Sequence, residues 1–196
     1  ARKRTHPRAG AVPRDRGALP RGPPPLTIAS WLPPDRMETS VPGIYAAGDV
    51  CESLDVSIGK TAVNALWPVA VEQGRIAGAN MAGGSSVYDG SVGMNSIEFF
   101  GLPVISLGVY EIKDGAVSLE KLETFDEKKG VYKKLILKDG VIIGAIMAGD
   151  IRNSGLFLSL IRDKVNVAAL KDKLLLENFS YPHIVGMTSE KEQMYV

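Results

Sequence analysis

The spacing of apolar residues changes character twice along the chain. Before Arg36 no apolar period exists. Pro7, Pro13, Pro20, Pro23, Pro24, Pro25, Pro33 and Pro34 interrupt a tract that also holds Arg2, Lys3, Arg4, Arg8, Arg14, Arg16 and Arg21. Proline removes backbone donors and turns the preceding residue away from helix, so residues 1–34 are expected to be irregular or the product of an aberrant reading frame. From Arg36 onward the pattern becomes orderly. The apolar run Ile44-Tyr45-Ala46-Ala47 stops at Gly48 and Asp49 and reads as a short buried strand closing in a tight loop. A helix is expected next, over about residues 68 to 82: Pro68 suits a first helical position, Val69, Val71, Ile76 and Met81 can share buried faces, and Gly83-Gly84 stops it. Gly74 and Gly78 lower its propensity and would admit a closely packed neighbour.

The second half changes period. Ile97 to Gly108, Ala116 to Phe125, Val131 to Lys138 and Val141 to Gly149 read as strands. Lys138-Asp139-Gly140 separates two of them so narrowly that a hairpin is predicted, and Lys113-Asp114-Gly115 carries the same turn signal. Beyond Asp150 two helices are expected, one burying Leu156, Leu160 and Ile161, the other Val167, Leu170 and Leu174. An antiparallel sheet followed by helices makes an α+β unit.

Composition narrows the class. The 196 residues suffice for about one to two domains. Hydrophobic residues at 45% and charged residues at 23% match globular averages and argue against disorder of the whole chain. A net charge of +1 singles out neither nucleic acid nor an anionic membrane as a partner. The basic arm could still touch phosphates; that alternative requires salt-sensitive binding lost on deleting residues 1–34. The single cysteine, Cys51, allows no intramolecular disulfide and no cysteine-rich metal site, which points to an intracellular, cytoplasmic setting. No apolar run approaches the roughly 20 residues of a bilayer span, and the basic amino terminus lacks the apolar segment of a signal peptide.

The segment with chemical content is Thr39-Ser40-Val41-Pro42-Gly43-Ile44-Tyr45-Ala46-Ala47-Gly48-Asp49, a strand delivering a glycine and a carboxylate to its carboxyl end, where open α/β sheets bind ligands. Gly48 would let a ligand approach the backbone, and Asp49 could accept hydrogen bonds from two hydroxyls of a polyol. By itself the loop reads more readily as a turn with a capping aspartate. The segment resembles the second FAD-binding motif of the pyridine nucleotide-disulfide oxidoreductase superfamily, in which the aspartate holds a ribityl hydroxyl. Trp67-Pro68-Val69-Ala70-Val71-Glu72-Gln73-Gly74-Arg75-Ile76-Ala77 resembles that family's next helix, which begins beside the flavin pyrimidine ring. Its amino terminus would offer free N–H groups to the flavin N1 and O2 edge, with Trp67 as backbone donor. Trp67 also reads as a core aromatic, and the two readings are compatible. Val131-Tyr132-Lys133-Lys134-Leu135 and Gly144-Ala145-Ile146-Met147-Ala148-Gly149-Asp150 are similar to the small interface domain of nitrite reductase flavoprotein subunits, rubredoxin reductases and NADH oxidases.

The resemblance implies three segments. Residues 1–34 are unrelated to the family, residues 35–84 form the end of an FAD-binding α/β domain, and residues 90–196 form an interface domain in which Met147 and Phe157 are structural. It implies FAD as cofactor, NAD(P)H as electron donor to the parent enzyme, and either a homodimer or separate amino-terminal domains as partners. No Gly-x-Gly-x-x-Gly fingerprint occurs, so the chain is expected to be the carboxyl-terminal portion of such an enzyme and not to act alone; the alternative is an inactive dimerisation module. The cofactor-binding candidates are therefore Gly48, Asp49 and Trp67. No catalytic or metal-binding residue is assigned. Cys51 reads as a small buried residue, His183 lacks the family's surrounding pattern, and Lys60 and Glu72 read as solvated charges.

Overall fold

The computed structural model describes residues 36–112 and 118–185. Its amino-terminal part is built around the helix α1, Trp67–Met81, within one residue of the span that Pro68 and Gly83 predict. A two-stranded antiparallel ribbon of β1 (Ser53–Asp55) and β2 (Lys60–Ala62) lies before it. The helix turns Val69, Gln73, Ala77 and Asn80 inward, a row at i, i+4 and i+3 spacing. Val71 and Met81, expected on buried faces, are exposed instead, because the small residues Ala46 and Cys51 and the ring of Tyr88 cover only the Val69–Ala77 side. Among the described residues nothing lies within 4 Å of a Cβ placed at Gly74 or Gly78, so the close approach these glycines would admit is not used there.

The strand expected at Ile44–Ala47 is reduced to one antiparallel bridge, Glu38 to Tyr45, around a turn at Pro42-Gly43. Thr39 N–H donates to the Ile44 carbonyl at 2.7 Å and Ala46 N–H to the Met37 carbonyl at 3.1 Å. Among the described residues no second strand lies alongside to extend the run into a ladder, and Ile44 is 46% exposed.

The carboxyl-terminal part is a five-stranded antiparallel sheet, β3 (Met94–Phe99), β4 (Leu102–Gly108), β5 (Leu119–Asp126), β6 (Val131–Lys138) and β7 (Val141–Ala148), in the order β3-β4-β7-β6-β5. The single strand expected from Ile97 to Gly108 is in fact part of a hairpin, because the chain reverses at Phe100 and Gly101, both with positive φ. The β6–β7 hairpin forms as predicted, with Asp139 at φ 52° and Gly140 at φ 78°, the paired left-handed residues of a two-residue turn. The Lys113-Asp114-Gly115 signal and the start of the strand expected from Ala116 lie outside the described residues.

Period-two alternation on β4, β6 and β7 points Leu107, Leu135, Leu137, Ala145 and Met147 to one face. The helix α2, Ser154–Arg162, covers that face with Phe157, Leu160 and Ile161. Phe157 stacks on Phe179 with ring centroids 5.8 Å apart. The second helix expected there is a 3-10 turn, Ala168–Lys173. Val167 N–H is tied to the Gly140 carbonyl at 2.8 Å, and a three-residue turn then places Val167 and Leu170 on the same side.

Candidate functional site

Gly48 opens a 3-10 turn, Gly48–Val50, with φ 77°. A Cβ at Gly48 would lie 3.1 Å from the Cβ of Ala70, so the missing side chain lets the loop sit against the first turns of α1. Gly48 N–H donates to Gln73 Oε1 at 2.7 Å, and Gln73 Nε2 donates to Ser53 Oγ at 2.9 Å. The buried Cys51 thiol lies 3.2 Å from the Gly48 carbonyl oxygen and 3.6 Å from Gln73 Oε1. Asp49 is exposed and caps no turn: among the described residues its carboxylate has no hydrogen-bond or ion-pair partner.

The amino terminus of α1 lies beside this loop. Leu66, the residue before it, is extended, and no side chain caps the helix. Its first N–H groups, which carry the positive share of the helix dipole, are therefore without a side-chain cap among the described residues. Trp67 is 63% exposed, so it is not the core aromatic of the alternative reading.

A second polar cluster joins the two parts of the chain. Asp55 is 5% exposed; its Oδ1 accepts from Ser57 N–H at 2.9 Å and from Ser57 Oγ at 2.5 Å, and its Oδ2 from Asn64 Nδ2 at 3.1 Å and Gly93 N–H at 3.3 Å. Asn64 Nδ2 also donates to Ser91 Oγ, and Ser91 exchanges backbone bonds with Leu54 and Val56. Four donors satisfy the carboxylate where water is excluded, which makes Asp55 a structural junction.

The remaining candidates are dispersed. His183 packs its ring against Phe179, 5.6 Å between centroids, with Nδ1 near Ser180. Lys60 and Glu72 are exposed. Among the described residues no group of three His, Cys, Asp or Glu could hold a metal ion, and no helix is long and apolar enough to cross a membrane.

Residues 94–165, from β3 to just past α2, match the Rubredoxin NAD+ reductase C-terminal domain. The chain is 33% identical over 144 residues to the NADH-dependent phenylglyoxylate dehydrogenase subunit epsilon of Aromatoleum evansii, covering 72% of this chain and 33% of that protein. It is 28% identical over 147 residues to a nitrite reductase (NAD(P)H) of Bacillus subtilis, covering 74% of this chain and 17% of that protein. The NADH:rubredoxin oxidoreductase of Clostridium acetobutylicum superposes with a TM-score of 0.51 at 28% identity, over 67% of this chain and 32% of that one. The chain belongs to the pyridine nucleotide-disulfide oxidoreductase superfamily. It spans a third or less of the length of these relatives.

For this superfamily member, sequence reasoning missed Gln73, Ser53 and the Asp55 cluster. A signal for Gln73 was present: it stands between the apolar Val69 and Ala77 at i, i+4 spacing on one helix face. Nothing local signalled its partners, which lie 25 and 20 residues away.

Proposed function

We propose that the chain is the carboxyl-terminal portion of an FAD-dependent oxidoreductase that passes electrons from NAD(P)H through flavin to an acceptor. The observation that carries this reading is the junction of the Gly48–Val50 turn with α1, where a carboxylate without a partner and a helix amino terminus without a side-chain cap, among the described residues, are held together. Those two features fit a flavin: Asp49 would accept from ribityl hydroxyls, and the backbone at Trp67 would donate to the O2 edge. Bound FAD supplies the redox step; the chain's residues bind and orient it.

The segmentation at residues 35–84 and 90–196 is part of the same proposal. Two separate apolar clusters support it, Tyr88 packing in the first and Val92 in the second. The absence of a dinucleotide fingerprint from the sequence favours nucleotide-binding domains contributed elsewhere, and a cytoplasmic location suits the single cysteine. The alternative, a dimerisation or docking module without cofactor, is favoured by the exposure of Val41, Ile44, Val50 and Trp67 around the site.

Titration of the purified chain with FAD, followed by visible absorbance and flavin fluorescence, tests the reading. Saturable uptake that Asp49→Ala weakens, with bleaching by NADH once the nucleotide-binding domains are present, is the expected result. A colourless dimer that takes up no FAD would leave the docking module as the function.

A further inference from the structure

Gln73 is 1% exposed and grips both ends of the stretch that carries Asp49: Gly48 immediately before it and Ser53 four residues after it. The orientation of its amide is set by its partners. Gly48 N–H can only donate, so the oxygen must face it; turning the amide over would set two donors against each other. The same side chain projects from α1 six residues after Trp67, about 9 Å along the helix axis. One amide therefore ties the turn bearing Asp49 to the helix whose amino terminus lies beside it.

We propose that Gln73 is the positioning residue that sets the Asp49 carboxylate relative to the amino terminus of α1, so that both can engage one flavin. The assignment rests on the cofactor reading above. Gly48 lets the loop sit against the helix at Ala70, where a Cβ on residue 48 would lie 3.1 Å from the Ala70 Cβ. Gln73 limits how far it departs, because breaking its bond strands a buried N–H. Asn80, two turns further along the same face, makes a comparable set of bonds to Arg36 and Ser86 but does not touch the Asp49 loop. It supplies a control for loss of a buried amide without loss of positioning.

The experiment compares the full chain with its Gln73→Met and Asn80→Ala variants by amide hydrogen exchange resolved at single residues, FAD titration, and the midpoint potential of bound flavin. In Gln73→Met the Gly48 amide should exchange at least tenfold faster while β6 and β7 amides keep their protection. FAD affinity should fall about tenfold, the scale on which displaced supporting groups act, and the potential should move to a more negative value. Asn80→Ala should leave affinity and potential unchanged. Uptake of FAD by wild type and Gln73→Met alike overturns the assignment alone, as does an equal loss in Asn80→Ala or a Gly48 amide that stays protected. No uptake by wild type overturns the cofactor reading and the assignment with it.

Discussion

Lys133 Nζ lies 3.2 Å from Asp150 Oδ2, a buried ammonium on β6 reaching a carboxylate just beyond the end of β7. Arg152 closes on the same carboxylate from the solvent side, Nε to Oδ1 at 2.8 Å and Nη2 to Oδ2 at 3.1 Å. Lys133 is 4% exposed, and Asp150 is the only partner that balances its charge among the described residues. Removing the carboxylate strands a buried cation. Asp150→Ala is expected to lower unfolding stability by about 3 kcal/mol. Lys133→Met should cost less, because Arg152 still pairs with Asp150. Urea denaturation of both variants measures the difference; equal losses would refute the asymmetry.

The same carboxylate sets a dependence on acid. Hydrogen bonding to Arg152 first, and then to Lys133, holds Asp150 far below the usual carboxylate range despite some desolvation. A depressed folded-state pKa contributes stability that is complete above the unfolded value, about 4, and is lost as pH falls through the folded one. The urea midpoint should therefore drop more steeply below pH about 4 in wild type than in Asp150→Asn.

Between β6 and the edge strand β5, Tyr132 Oη donates to Glu123 Oε1 at 2.7 Å. Desolvation, then that bond and the charge behind it, pushes the phenol up to about 12. A raised pKa contributes stability that is present below the unfolded value of about 10 and fades as pH climbs through the folded one. Ultraviolet titration of wild type against Tyr132→Phe should show one tyrosine ionising near 12.

Phe157 and Phe179 are both 1% exposed and stacked, so they close the end of the larger core under α2. Phe157→Ala should cost about 3 to 5 kcal/mol, and Phe157→Leu distinctly less, by thermal or urea unfolding.

Asp49 behaves oppositely. Its carboxylate makes no bond among the described residues, so Asp49→Ala should change stability by no more than about 0.5 kcal/mol while weakening FAD uptake. A large stability loss would assign the residue to the fold instead of to the cofactor.

Much of the fold was legible because its causes are local. Pro68 and Gly83 bracket α1, Asp139-Gly140 dictates a tight hairpin, and the alternation in β6 and β7 points their apolar residues to one side. The break at Phe100 was missed because the apolar run continues through it, although Gly101, two residues before Pro103, is a turn signal. The site was partly legible. Gly48, Asp49 and Trp67 stand in motifs that resemble known ones, and Gln73 stands in the second of them, but its bonds to Gly48 and Ser53 could not be read there.

What the sequence by itself determined was the span of α1, the Asp139-Gly140 hairpin and the alternation within β6 and β7, since proline, glycine and apolar period act over a few neighbours. Only the tertiary structure decided which face of α1 turns inward, that Ile44–Ala47 gains one bridge and no ladder among the described residues, and that Gln73 bonds the Asp49 loop. Each of those outcomes depends on a partner many residues distant, and a hydrogen bond or packed face is chosen only when the folded chain brings that partner within reach.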